Sequence, residues 1–315
     1  MAVAVGIGLM EYPFETTKAY WRWVDMCEAG GVDSFWQTDR VVSREPILEC
    51  MTAIAAVAGR TKRLKFGMNV ISLALRDPVL IAKQCATIDV LSEGRLLPAF
   101  GVGSPMAPEW KALGIDTKGR GGKTDEGLEI IKRLWREERV DFEGRHYKLS
   151  GASISPRPVQ ADIPMWIGGS SQAAIERTAR VGTGWQAGPE TPEQAGEVVK
   201  AIKAALPKYN RTIDADHYGA GFPFYFGKPD APVLDKVMAS YKKRTGREPL
   251  NYFAVGDKDD LVQRIAEYVT NGVEKFVIRP VGRGDDAMLH QTQRLIDEVL
   301  PEVARRWPRP AKVRP

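Results

Sequence analysis

Two kinds of hydrophobic pattern alternate along the chain. Short apolar runs rich in Val, Ile and aromatic residues predict buried parallel strands, whereas stretches with apolar residues three and four positions apart predict helices. The predicted strands are 2–9, 33–38, 64–71, 96–103, 165–167, 184–187, 218–226 and 275–281. The predicted helices are 16–29, 45–59, 77–92, 124–137, 171–181, 191–206, 259–271 and 286–305. A small hairpin is predicted over 140–149.

Strands that alternate with helices in this way predict an α/β fold, a (β/α)8 TIM barrel with its active site on the loops after the strands. A doubly wound open sheet is the alternative. The pattern predicts a single barrel domain over 1–315, with an insertion at about 228–250 that contains a helix near 233–243.

Composition excludes several classes of protein. The chain has 45 basic and 40 acidic residues, spread along its length with no basic block, which argues against a nucleic-acid-binding protein. The sequence has no apolar run long enough for a membrane span and no secretory signal pattern. The three cysteines fall in predicted helices without a CxxC pair, which indicates reduced thiols and a cytoplasmic protein.

Two glycine-containing segments follow predicted strands. Gly101 and Gly103 end the fourth strand but do not complete a GxGxxG motif, so tight packing at the barrel rim explains them as well as a ligand does. The segment Ile167-Gly168-Gly169-Ser170-Ser171 leads through two glycines into a helix start, where backbone N–H groups and serine hydroxyls could bind a phosphate. A plain helix N-cap at Ser170 or Ser171 is the alternative.

Six segments and one acidic residue resemble the bacterial luciferase-like superfamily, which includes FMN-dependent monooxygenases and oxidoreductases that use the deazaflavin F420. In chain order the segments are Asp33-Ser34-Phe35-Trp36, Arg76-Asp77-Pro78-Val79-Leu80-Ile81-Ala82-Lys83-Gln84, Ser92-Glu93-Gly94-Arg95, Gly101-Val102-Gly103, Ile163-Pro164-Met165-Trp166-Ile167-Gly168-Gly169 and Gly272-Val273-Glu274-Lys275-Phe276-Val277. Glu109 follows the fourth segment. Each segment is unspecific, but the ordered set covers most of the chain.

The resemblance implies a barrel that binds a flavin-type ring at its C-terminal mouth. It also implies a non-prolyl cis peptide at the end of the third strand, and Asn69–Val70 is the matching pair. An ordinary trans peptide is the alternative. Besides Asn69 and Val70, the cofactor-binding residues implied are Gly101, Gly103, Arg120, Gly168, Gly169, Ser170, Ser171 and Arg279. A surface ion pair is the alternative for Arg279.

The catalytic candidates that follow from the resemblance are Asp39, Arg40 and Glu109. A solvated carboxylate is the alternative for Glu109, and simple packing is the alternative for its neighbour Trp110. Many F420-using relatives have Asp-His where this chain has Asp39-Arg40, and luciferase itself has an arginine near Ser104. The three histidines lie far apart in sequence, so no metal site is predicted.

These features predict an oxidoreductase with F420 or FMN as cofactor, favouring F420-dependent hydride transfer to or from a small organic substrate. FMN-dependent monooxygenation with a partner flavin reductase is the alternative in the same class. A catalytically silent flavin-binding or structural barrel is the alternative of another class. A cofactor-free hydrolase or isomerase is disfavoured because no acid–base pair is evident. The resemblance suggests a homodimer.

Overall fold

The computed structural model describes residues 2–160 and 162–308. The strands are β1 Ala4–Leu9, β2 Ser34–Gln37, β3 Lys65–Met68, β4 Ile71–Ser72, β5 Ala99–Gly101, β6 Val140–Glu143, β7 Lys148–Ala152, β8 Trp166–Gly168, β9 Gly184–Gln186, β10 Tyr218–Ala220, β11 Pro223–Phe226, β12 Ala254–Gly256 and β13 Lys275–Pro280. The α-helices are α1 Thr17–Ala29, α2 Cys50–Arg60, α3 Pro78–Leu91, α4 Pro108–Ala112, α5 Arg120–Arg136, α6 Gln172–Val181, α7 Pro192–Ala205, α8 Asp235–Thr245, α9 Lys258–Thr270, α10 Asp285–Arg294 and α11 Leu300–Arg306. A π-helical turn, Leu295–Val299, joins α10 to α11.

Nine of these strand segments form a nearly closed parallel barrel, which confirms the predicted (β/α)8 fold. Their order is β3-β2-β1-β13-β10-β9-β8-β5-β4. The segments β3 and β4 are two pieces of the third strand, and the fourth strand meets both through the Phe66–Leu96 bridge and the β4–β5 pair. Because the sheet returns on itself in this way, the alternative of an open doubly wound sheet is wrong.

The predicted seventh strand, 218–226, consists of two strands instead of one. Both β10 and β11 pair with β13, and Gly221 and Phe222 lie between them. The outer edge of β11 pairs in parallel with β12, which the hydrophobic pattern missed because Ala254–Gly256 is very short. The insertion, which contains α8, is therefore followed by a short strand that lies beside the barrel.

Several predicted boundaries are wrong. The predicted helix 45–59 begins at Cys50, where Glu49 accepts a hydrogen bond from the Thr52 backbone as N-cap. The predicted strand 96–103 is ordered as a strand only over Ala99–Gly101, and the loop after it contains α4. The helix predicted from 124 begins at Arg120, so its first turn is glycine-rich. A Cβ on Gly122 would lie 3.0 Å from His146 Nε2, between β6 and β7, so glycine keeps this contact from being crowded.

The barrel interior is filled by a small cluster whose main members are Trp36 and Trp166, with Ala99 and Val277 beside them. The two indoles fit because glycines face them. A Cβ on Gly67 would lie 2.8 Å from Trp36 and 2.1 Å from the Leu97 carbonyl oxygen. The rest of the apolar core lies between the strands and the surrounding helices. Among the described residues, no helix is both long and apolar enough to cross a bilayer.

We predict that Gly67→Ala lowers the free energy of unfolding by about 1–3 kcal/mol, because the new methyl group overpacks the barrel against backbone. The matched control is Gly59→Ala on the exposed side of α2, where an added Cβ has no neighbour within 4 Å. This change should leave stability unchanged or raise it by about 0.5–1 kcal/mol. Chemical denaturation of the two variants measures both effects, and equal stabilities would contradict the packing argument.

Candidate active site at the carboxyl end of the barrel

The loops after the barrel strands meet at one end of the molecule, which we call the mouth. Parallel strands place all their carboxyl ends on the same rim, so the sequence-predicted site residues after β2, β3, β5, β8 and β13 converge there. Their side chains have different surroundings, and these decide what each can do.

The Asn69–Val70 peptide between β3 and β4 is cis, as predicted. The Val70 side chain reaches across the neighbouring strands, where a Cβ on Gly101 would lie 2.7 Å from it and a Cβ on Gly168 2.9 Å from it. Glycine is needed at both positions for Val70 to lie there. We call Val70, Gly101 and Gly168 the Val70 platform, an apolar, half-buried surface at the edge of the mouth.

Gly103 has a packing role. Its φ is +73°, and a Cβ there would lie 3.0 Å from Trp110 Cζ2 and 3.1 Å from Ser72 Oγ. Trp110 is buried, and its Nε1 donates to the Ser104 carbonyl at 2.7 Å. The packing explanation is therefore right for both Gly103 and Trp110. Their contact fixes α4, which also carries Glu109.

Asp39 lies beneath the rim and is held on both carboxylate oxygens. Arg76 donates to Oδ2 at 3.0 Å and to Oδ1 at 2.5 Å, and the Ser72 backbone N–H donates to Oδ2 at 2.9 Å. The Cys50 thiol donates to Oδ1 at 3.4 Å, and burial raises the pKa of that thiol. Only 2% of the Asp39 side chain is exposed. Asp39 therefore joins the loop after β2 to the segment after β4 and positions Arg40.

Arg40 and Glu109, which the sequence analysis named separately, form an ion pair. Arg40 Nη1 lies 3.2 Å from Glu109 Oε1. The Arg40 side chain is 42% exposed, whereas the Glu109 side chain is 3% exposed and its Oε2 has no partner in the described part of the chain. The solvated-carboxylate alternative for Glu109 is therefore wrong. One oxygen of a buried carboxylate remains available to hold or move a proton.

Ser171 is the N-cap of α6, where its hydroxyl accepts from the Ala174 backbone N–H at 3.3 Å, while Ser170 is exposed. The N-cap alternative is thus correct for Ser171, and it does not prevent anion binding by the same helix start. Gly169 turns the chain with φ at +109°, and its carbonyl accepts from Trp185 Nε1 at 2.8 Å.

Arg120 is the first residue of α5. Its Nε is buried and finds no partner within the described residues, and Nη1 donates to the Thr117 carbonyl at 3.4 Å. A Cβ on the next residue, Gly121, would lie 3.8 Å from Arg177 Nη2 on α6, so the start of α5 lies beside α6. An unused guanidinium donor at a helix start suits a phosphate.

The surface-ion-pair alternative for Arg279 is wrong, since no carboxylate in the described residues pairs with it. Its Nη2 donates to the Gly221 carbonyl at 3.2 Å and to the Tyr252 hydroxyl at 2.5 Å. Burial raises the pKa of Tyr252, and the nearby Arg279 charge opposes that rise. The sequence analysis missed Tyr252 because it lies two residues before the unpredicted strand β12.

Gln186, at the end of β9, was also missed. It is 1% exposed, and both atoms of its side-chain amide lack a partner in the part of the chain that the structure describes. The signal was present in the sequence, since a polar residue ends an otherwise apolar barrel strand at the rim.

Asp214, Asp216 and His217 bring ligand atoms within 4.8 Å of one another. They precede β10 and so lie at the amino end of the barrel strands, away from the mouth. His217 Nδ1 lies 2.8 Å from the Thr183 carbonyl oxygen, a contact at this same end of the barrel.

Residues 5–252 match the model of the luciferase-like monooxygenase family. The chain belongs to this family. Its relatives include an F420-dependent glucose-6-phosphate dehydrogenase from Kineococcus radiotolerans, 32% identical over 263 residues, or 78% of this chain and 77% of the relative. Among solved structures, monooxygenase RslO1 from Streptomyces bottropensis superimposes with a TM-score of 0.82 at 18% identity, over 95% of this chain and 99% of that one.

An uncharacterised protein of Mycobacterium tuberculosis is 31% identical over 169 residues, 53% of this chain and 57% of the relative. The chain thus matches little more than half the length of that relative.

For this luciferase-like protein we predict that Asp39→Asn lowers the free energy of unfolding by about 2–4 kcal/mol, because Arg76 would lose a buried counter-charge. The matched control is Asp25→Asn. Asp25 also binds an arginine, Arg60, through both oxygens, but both side chains are 49% exposed. That change should cost less than about 1 kcal/mol. Thermal or urea unfolding tests the difference, and a stable Asp39→Asn variant would disprove the anchoring role.

Proposed function

We propose that this chain is an oxidoreductase that uses a flavin-type cofactor, F420 or FMN, and that its reaction is F420-dependent hydride transfer. The Val70 platform is the observation that carries this proposal. It provides a flat apolar surface at the rim of a barrel whose family uses such rings. The F420-dependent relative, which aligns over most of the chain, supports F420 over FMN.

The residues at the mouth fit such a cofactor. The ring would rest on Val70, for which Gly101 and Gly168 make room, and Asn69 precedes Val70 in the cis peptide. The starts of α5 and α6, with Arg120 and the Gly169–Ser171 turn, would hold a phosphate through unused N–H donors. When bound, the cofactor supplies the hydride chemistry, and the protein supplies binding, orientation and electrostatics.

Arg40 and Glu109 form the acid–base part of the proposed site. Glu109 Oε1 is held by Arg40, and Oε2 holds or accepts the proton that leaves or joins the substrate oxygen. Asp39 keeps Arg40 in place through the loop after β2. Arg40 occupies the position where many F420-using relatives have histidine. We therefore assign proton transfer to Glu109.

FMN-dependent monooxygenation with a partner flavin reductase is the second candidate. Its support is the family description and the structural likeness to monooxygenase RslO1. A silent flavin-binding or structural barrel is the third, and it would leave the free oxygen of Glu109 without a role. In all three cases we propose that one barrel domain carries the site and that the insertion at 228–250 shapes the mouth.

We also propose that the protein is a cytoplasmic homodimer. Its three described cysteines are buried and free, as expected in a reducing compartment. Leu80, Leu91 and Val159, on α3 and the segment that packs against it, are 57%, 71% and 57% exposed. A second copy would cover them. Light scattering during size-exclusion chromatography should give twice the chain mass, and a monomer would disprove the dimer.

The proposed reaction predicts that turnover requires F420 and does not require O2. Under anaerobic conditions, a panel of small alcohols and carbonyl compounds should contain a substrate that changes F420 absorbance in the presence of the enzyme. Glu109→Gln should lower kcat about 100-fold or more, because it removes the proton carrier, while cofactor affinity changes little. Glu193→Gln, on the exposed first turn of α7, is the control. Turnover only with reduced FMN and O2 would favour the monooxygenase.

A further inference from the structure

We infer that Arg279 binds a carboxylate group of the substrate and that the enzyme therefore acts on small organic acids. This inference rests on the proposed function, because it places the substrate on the side of the mouth that the proposed cofactor does not occupy. It also reassigns Arg279, which the sequence analysis placed in the cofactor site.

The guanidinium of Arg279 is fixed but not neutralised. Its hydrogen bonds within the described part of the chain both use Nη2, to the Gly221 carbonyl and the Tyr252 hydroxyl. Its Nε is buried without a partner among the described residues, and Nη1 makes no hydrogen bond to them. A guanidinium held by neutral groups on one side retains its charge and free donors for an anion on the other.

Tyr252 in turn is fixed by the chain around it. Its hydroxyl lies 2.5 Å from the Gly221 carbonyl oxygen and 3.2 Å from that of Gly188. Its ring stacks on Tyr241 of α8, with ring centroids 4.9 Å apart and an interplanar angle of 9°. The insertion helix therefore holds the tyrosine that holds Arg279.

The local charge is positive. Arg247, just after α8, is half-buried and donates to the Pro189 carbonyl at 3.2 Å. Glu190 is the buried carboxylate whose charge contributes to the raised pKa of Tyr252. Arg244 acts on Tyr252 from an exposed position, where solvent screens it. Arg279 and Arg247 are half-buried and positively charged, and within the described ranges Glu190 is the one buried negative charge beside them. The excess of one positive charge matches a monoanion such as a carboxylate.

Arg279 faces the mouth from the wall away from the Val70 platform. Side chains alternate along β13, and Val277 packs inside the barrel with Trp36, so Arg279 two residues later also faces inward. Three steps along the sheet, through β1 and β2, separate β13 from β3. Gln186 lies between the two walls, since it pairs with Gly168 of the platform on β8 and only β10 separates β9 from β13.

The test is calorimetric titration of the purified protein, with and without saturating oxidised F420, using butyrate, its neutral analogue butyramide and inorganic phosphate. Butyrate should bind the wild-type protein more tightly than butyramide or phosphate. Arg279→Gln should weaken butyrate binding by about tenfold or more, because a charge-assisted hydrogen bond is lost. Arg279→Lys should retain part of the affinity.

The matched control is Arg283→Gln, an exposed arginine four residues further along the chain, which should bind butyrate as the wild type does. In all variants F420 affinity should be unchanged. Equal binding of butyrate and butyramide, preference for phosphate, or loss of F420 affinity in Arg279→Gln would each overturn the inference. Butyrate is also titrated without F420. If F420 fails to bind while butyrate binds through Arg279, the cofactor proposal fails and the assignment of Arg279 stands.

Discussion

The requirement to fill the inside of the barrel constrains the rest of this structure. Trp36 and Trp166 occupy most of that space, and they fit because glycines such as Gly67 and Gly184 face them. A closely packed interior of this kind places a ligand at the rim instead of inside the barrel. Chemistry is therefore restricted to the mouth, where the strands end and the loops begin.

The mouth has two chemically different sides, and we propose that one binds the cofactor and the other binds the substrate. On one side the cis Asn69–Val70 peptide presents an apolar platform, and Arg120 at the start of α5 has an Nε without a partner among the described residues. On the other side the fixed guanidinium of Arg279 and the hydroxyl of Tyr252 present polar groups. A flat cofactor suits the first side, and a small anionic substrate suits the second. The Arg40–Glu109 pair, whose Oε2 has no partner among the described residues, is the proposed proton carrier.

The sequence predicted the barrel because apolar runs and helix caps are local patterns, whereas the cis peptide was implied only by the family resemblance. It could not predict which charges pair, since that depends on contacts between distant segments. Arg40 and Glu109 lie 69 positions apart, and Arg76 reaches Asp39 across 37 positions. Glycine-rich stretches were ambiguous for the same reason. Gly101 makes room for Val70, but Gly122 makes room for His146, and only the packed structure distinguishes these roles.

The central claim is that the Val70 platform supports the cofactor ring, and fluorescence titration of Gly168→Ala with F420 tests it most directly. The added methyl group would lie 2.9 Å from Val70 Cγ1 and would push Val70 toward the ring, so affinity should fall about tenfold through overpacking. Val70→Ala should weaken F420 binding as well, because the apolar side chain on which the ring rests is removed. Wild-type affinity in a folded Gly168→Ala or Val70→Ala variant would contradict the account.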